Sequence, residues 1–157
     1  MSWPRYATRQ RHVRGFTLIE LMVTLSVIAI LSAFAWPGYA GIVHRAQRND
    51  ARLALLRLQH LQERHYATHL RYATRLGLAA DAETLATSER SDSGLYNLSI
   101  VTSEDGQRYT AIATANPAGR QRRDAECQGL SVDQTGTRRS ADASGAWSGT
   151  DPLRCWR

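Results

Sequence analysis

The sequence predicts an α+β fold, one long N-terminal helix packed on a small antiparallel sheet. Three observations carry that expectation. Apolar residues recur at helical spacing over 16–66, strict alternation of apolar and polar residues begins at Tyr96, and two cysteines, Cys127 and Cys155, bracket the C-terminal stretch. The expected organisation is a leader over 1–15, a helix over 16–66 that is membrane-compatible over 16–35, and an α+β head over 67–157.

The leader is read from charge. The chain has 157 residues and a formal net charge of +6, and all 20 of its basic residues are arginine. Four of them, Arg5, Arg9, Arg11 and Arg14, precede Gly15, where there is no acid. From Leu70 onward 11 arginines face 11 carboxylates, so the C-terminal part is formally neutral. The basicity is therefore mainly a topology signal. Arginines flanking an apolar span hold that end on the cytoplasmic side.

Phe16 to Ala35 is a run of 20 residues interrupted in polarity only by Thr17, Glu20, Thr24, Ser26 and Ser32. A helix of that length spans about 30 Å, the thickness of a hydrocarbon core. A carboxylate at that depth costs roughly 2.5–3.5 kcal/mol on the more lenient insertion scales. Glu20 needs a reason to be there. A plain single-pass anchor with an incidental Glu20 is the other reading of the run.

Beyond the run the helical pattern continues. Ile42, Val43, Ala46, Leu53, Leu56 and Leu61 recur with Arg45, Arg48, Asn49, Asp50, Arg52 and Arg57 between them, which predicts an amphipathic second half with its leucine face against the sheet. Pro37 is expected to kink the helix near Trp36-Pro37-Gly38; the alternative is that one helix ends there and another starts. Residues 67–94, rich in Thr, Ser and acids toward their end, read as the connection from helix to sheet.

Tyr96, Leu98 and Ile100 alternate with Asn97, Ser99 and Val101, a half-buried strand. Ser103-Glu104-Asp105-Gly106 supplies a turn. Arg108 to Ala115 is the return strand, stopped at Asn116-Pro117. Cys127 to Asp133 is a third strand candidate turning at Gln134-Thr135-Gly136, and the head is expected to be a meander of three or four strands. Cys127 and Cys155 fall on the side that positive-inside topology places outside the cytoplasm, where disulfides persist. A bridge between them would be worth roughly 3–4 kcal/mol and would hold down Ser140 to Arg157. Two free thiols are the other reading.

Gly15-Phe16-Thr17-Leu18-Ile19-Glu20 after a short basic leader resembles the processing site of type IV prepilins. The resemblance implies prepilin-peptidase cleavage between Gly15 and Phe16, N-methylation of Phe16, and contact of Glu20 with the amine of a neighbouring subunit during assembly. It implies a pilin fold, with other pilin subunits, the peptidase, the assembly machinery and the inner membrane as partners. The precursor would be single-pass with a cytoplasmic N-terminus, and the product an extracellular filament. The segment from Cys127 through Leu130, Asp133 and Gly136 to Cys155-Trp156 is similar to the end of PilE-like minor pilins, which close on a disulfide. Some relatives of that subgroup are competence pilins whose head binds DNA.

For DNA, the candidate residues are Arg120, Arg122 and Arg123 in one cluster and Arg138 and Arg139 in another, with Trp147 and Trp156 as stacking surfaces. Solvated loop arginines, with Asp124 and Glu126 beside the first cluster, are the alternative. His65 and His69, at i and i+4 with His60 and Glu63 nearby, can share a helix face, but no third ligand or HExxH pattern accompanies them, and exposed surface histidines are expected. No cofactor, no metal and no catalytic motif is expected, which argues against an enzyme. A type II secretion pseudopilin is an alternative that shares the processing site. Asp142 and Asp151 are too sparse for the calcium loop such proteins often carry, and the cysteine pair favours a pilus subunit.

Overall fold

The computed structural model describes residues 15–79, 81–148 and 151–157, with the side chains of 34–38 and 40 left out. The basic leader and its four arginines lie outside the described residues. Two compact units meet in sequence between Tyr39 and Ala40.

The first unit holds the start of α1, an α-helix over Leu18–His69. The backbone stays helical through Trp36-Pro37-Gly38, so the alternative of two separate helices does not hold. Among the described residues no helix is long and apolar enough to cross a membrane. The span expected over 16–35 runs into residues 34–38, of whose side chains nothing is described.

The second unit begins on α1 and continues through β1 (Arg75–Gly77), β2 (Thr84–Ala86), β3 (Tyr96–Thr102), β4 (Tyr109–Ala115), β5 (Gly129–Asp133) and β6 (Arg138–Ala141). β3-β4-β5-β6 is an antiparallel meander with registers Tyr96↔Ala115, Ala113↔Leu130 and Leu130↔Ser140. The turn before β4 needs its glycine. Gly106 has φ +68°, and an added Cβ would lie 3.0 Å from Arg71 Cβ. Asp105 Oδ1 accepts the Gln107 N–H at 3.0 Å, and Asp133 Oδ1 holds the next turn by accepting from the Thr135 and Thr137 N–H groups.

Alternation puts Tyr96 and Leu98, Tyr109, Ala111 and Ala113, and Leu130 and Val132 in one buried cluster with Ala51, Leu55 and Leu58 of α1. Full burial of each large member contributes about 1.5–3 kcal/mol. The expected helix face is corrected here. The buried stripe is Arg48, Ala51, Leu55, Leu58, Gln62 and His65, whereas Ile42, Leu53 and Leu56 are exposed at 61%, 63% and 45%. The stripe tolerates polar members because the head satisfies them. Gln62 Nε2 donates to the Ala73 carbonyl at 2.9 Å, and Gln62 Oε1 accepts the Ala73 N–H at 2.9 Å.

The stretch 67–94 is more structured than a plain connection. β1 and β2 pair in parallel there, with Leu76 opposite Leu85, and three residues each are too few to show alternation. The described ends of the tail, 140–148 and 151–157, are held by contacts with the rest of the head. Cys127 is bonded to Cys155, with Cα atoms 5.6 Å apart, and Arg52 Nε and Nη2 donate to the Cys155 carbonyl at 3.1 and 2.8 Å.

Candidate functional site

The N-terminal site is built by a helix cap. The Glu20 N–H donates to Thr17 Oγ1 at 3.3 Å and the Leu21 N–H to the Thr17 carbonyl at 3.2 Å, so Thr17 caps α1. The pattern Thr-x-x-Glu over 17–20 was the available signal for that role. Glu20 falls in the first turn, where the helix dipole favours its charge. Gly15, Phe16, Thr17 and Glu20 line one hollow, and Phe16 is 85% exposed.

Two hydroxyls of this run are satisfied by the helix itself. Thr24 Oγ1 donates to the Leu21 carbonyl at 2.9 Å and Ser26 Oγ to the Met22 carbonyl at 2.8 Å. The Glu20 carboxylate has no hydrogen bond and no ion pair among the described residues. Around it, Leu18, Ile19, Leu21, Met22, Val23 and Leu25 are all more than half exposed.

In the head, the five candidate arginines are not brought together. Arg120, Arg122 and Arg123 belong to a short 3₁₀ turn over Arg120–Arg123. Arg123 lines a cleft beside Arg48 and Asp124. Arg138 lies over the Trp156 ring at 4.9 Å, and Trp156 Nε1 donates to the Arg139 carbonyl at 3.0 Å. Arg139 lines a different hollow, on the sheet face that Ile112 and Ser131 share, together with Thr110, Thr137, Asp133 and Trp147. Trp147 covers Gly129, where an added Cβ would lie 2.9 Å from Ala141 Cβ and 3.5 Å from the indole. Thus Trp156 packs near the disulfide, and Trp147, 40% exposed, offers the free aromatic face.

Sequence reasoning missed the strongest charge pair of the head. Arg48 Nε donates to Asp124 Oδ2 at 2.7 Å and Nη2 to Oδ1 at 2.9 Å, and both side chains are buried. Gln121 Nε2 adds a bond to Asp124 Oδ2 at 2.9 Å. Burial opposes the charge on Arg48, but the hydrogen bond and field of Asp124, then of Glu126, outweigh it and hold its pKa above the ordinary value. Arg52 goes the other way, lowered by burial and then by Arg48.

His65 and His69 stack with centroids 4.2 Å apart. His65 is buried, against the expectation of a surface histidine, with Nε2 3.3 Å from the Ala82 carbonyl. Burial, then the neighbouring His69, lowers its pKa. Among the described residues no group of three or more His, Cys, Asp or Glu can hold a metal. Asp142 accepts from Ser144 within its own turn, and Asp151 pairs with Arg157 at 3.2 Å.

Several known proteins are similar to parts of this chain. The fimbrial protein EcpC of Eikenella corrodens is 50% identical over 38 residues, 24% of this chain and 25% of that protein. The type IV major pilin protein PilA of Myxococcus xanthus is 35% identical over 71 residues, 43% of this chain and 32% of that one. A fimbrial protein of Neisseria meningitidis is 34% identical over 73 residues, 45% and 43% of the two chains. The chain thus spans less than half the length of these curated relatives. A solved type IV pilin from Shewanella oneidensis aligns with a TM-score of 0.42 at 24% identity, covering 60% of this chain and 89% of that one. The prokaryotic N-terminal methylation motif matches residues 10–36. The family described as type IV minor pilin ComP, DNA uptake sequence receptor, matches residues 37–131, more than half of the chain, and the chain belongs to that family of minor pilins.

Proposed function

We propose that the chain is a structural, non-catalytic subunit of a type IV pilus. Prepilin peptidase cuts it between Gly15 and Phe16, Phe16 is N-methylated, and the pilus machinery assembles it with other pilins. Before assembly it is a single-pass inner-membrane protein with a cytoplasmic N-terminus. The observation that carries this reading is Glu20, the one ionisable side chain of the apolar run over 16–35, whose carboxylate finds no partner among the described residues. A neighbour's Phe16 amine supplies the missing charge, and each group neutralises the other in an apolar environment. Membership in a minor-pilin family favours the pilus over a secretion pseudopilin.

The test separates assembly from anchoring. Glu20→Leu is expected to leave membrane insertion intact and to cut the ratio of filament-associated to membrane-associated protein at least tenfold. Gly15→Val is the control, because it blocks processing and holds the unprocessed chain in the membrane. Mass spectrometry of sheared filaments should find a methylated Phe16 at the N-terminus. An unchanged ratio for Glu20→Leu would reduce the apolar run to a plain anchor.

A second reading, that the head receives DNA, is favoured by the face carrying Trp147. Arg139 is placed for a phosphate, Trp147 for stacking, and Thr110, Ser131 and Thr137 for hydrogen bonds, all in one hollow. Stacking on one aromatic is worth about 1–3 kcal/mol per base. Trp147→Ala should therefore weaken DNA binding roughly 5- to 150-fold, and Arg139→Gln should lower the salt slope by about one. Titration of labelled oligonucleotides, duplex and single-stranded, measures both, and unchanged affinity in both variants removes this face from the reading.

A further inference from the structure

A second cluster of arginines, on the cleft beside Arg48, is not absorbed by assembly or by the sheet face. The cleft has a volume of about 560 Å³ and is contributed by α1 (Gly41, His44, Arg45, Arg48), by 123–126 and by Arg154 and Arg157. Its floor is internally matched, because the bidentate bond spends the charges of Arg48 and Asp124 on each other. The remaining charges are unbalanced. Five guanidiniums face Asp124 and Glu126 in the lining and Asp151, the partner of Arg157, at the rim, a surplus of two.

Arg45, Arg123 and Arg154 make no ion pair among the described residues. Two polar positions in the wall are also unmet. Arg154 Nε and His44 Nδ1 are both buried without a hydrogen-bond partner, although Arg154 Nη2 donates to the Glu126 carbonyl at 2.9 Å. A buried guanidinium N–H without an acceptor is costly unless a ligand supplies one. The Cys127–Cys155 bridge and the bonds from Arg52 to the Cys155 carbonyl fix the 154–157 wall before any ligand arrives.

The ligand chemistry follows from the donors. Converging guanidiniums with an orphaned N–H and a positive surplus suit a compact tetrahedral oxyanion, a phosphate ester. In sequence, Arg45 follows Ala35, the last residue of the expected apolar run, by ten positions. On the reading that this run is membrane-inserted, on which this inference rests, Arg45 is the first arginine after the bilayer. We propose that the cleft binds the phosphate of an anionic phospholipid headgroup while the subunit waits in the membrane. A concave, walled site admits a headgroup more readily than a rigid duplex, and a net anionic headgroup more readily than a zwitterionic one.

The experiment uses the full chain in neutral-detergent micelles, titrated with short-chain phosphatidylglycerol, short-chain phosphatidylcholine, inorganic phosphate and a duplex oligonucleotide. Wild type is expected to bind phosphatidylglycerol at least tenfold more tightly than phosphatidylcholine or inorganic phosphate. Arg45→Gln with Arg123→Gln, both exposed and without ion pairs, should remove that preference while keeping the thermal midpoint. Equal affinity for the two lipids, or a preference that survives in the double variant, overturns the proposal. Inorganic phosphate binding as tightly as phosphatidylglycerol assigns the cleft to the free ion, and duplex displacing the lipid in an Arg45- and Arg123-dependent way assigns it to DNA; either result overturns the lipid assignment. Carbonate extraction of the same cells keeps the two readings apart. An extractable chain overturns membrane insertion itself, whereas an integral chain without lipid preference overturns the cleft alone.

Discussion

Asp124→Ala is expected to destabilise the head by about 3–5 kcal/mol, the cost of leaving one partner of a buried charge pair alone. The variant strands the Arg48 guanidinium at 5% exposure and removes the acceptor of Gln121 Nε2. Glu126 Oε2, 3.4 Å from Arg48 Nη2 on a side chain that is 67% exposed, recovers only part of the loss because water screens it. Arg48→Met with Asp124→Leu should cost much less than the sum of the two single changes, since replacing both charges with apolar groups removes the desolvation penalty as well as the attraction. Urea unfolding of the full chain in detergent, followed by circular dichroism as a double-mutant cycle, measures the coupling. Additive losses would show that the pair contributes no more than packing volume.

Removing the disulfide through Cys127→Ser and Cys155→Ser is expected to cost roughly 3–4 kcal/mol, because the bridge closes a loop whose ends are 28 residues apart. For a domain of this size that lowers the thermal midpoint on the order of 10–20 °C. The wall of the arginine cleft depends on the same bond. Arg154 lies next to Cys155 in a 3₁₀ turn over Arg154–Trp156, and the Cys155 N–H donates to Ser140 Oγ at 3.2 Å. Thermal scans with and without reductant, on wild type and the double serine variant, check the value. A reductant-insensitive wild type with an unchanged variant would mean that the tail is held by Arg52 and Ser140 alone.

Much of the fold was legible in the chain because the signals were local and repeated. The alternation over 96–101, the turn residues at 103–106 and 134–136 and the helical spacing of the N-terminal half each constrain neighbours a few residues apart. The cysteines were legible for another reason: two thiols leave one intramolecular pairing available. β1 and β2 were not legible, because three-residue strands lack a period. The five basic candidates were grouped by sequence proximity; Arg120, Arg122 and Arg123 do share one 3₁₀ turn, but Arg138 and Arg139 part. Arg138 and Arg139 are adjacent, yet successive strand residues point to opposite faces, so one stacks on Trp156 and the other lines the hollow with Trp147.

By itself the sequence determined the helix, the antiparallel meander, the cysteine framework and the isolated carboxylate at Glu20, all of which depend on residue type and short-range spacing. Only the tertiary structure decided which stripe of α1 is inside. Leu53 and Leu56 are as apolar as Leu55 and Leu58, so hydropathy cannot choose between stripes that lie one or two positions apart. The buried stripe is instead the one carrying Arg48 and Gln62, because Asp124, 76 residues away, and the Ala73 backbone supply the partners those side chains need. Burial of a polar side chain depends on an acceptor placed by the rest of the fold, and no local pattern contains it.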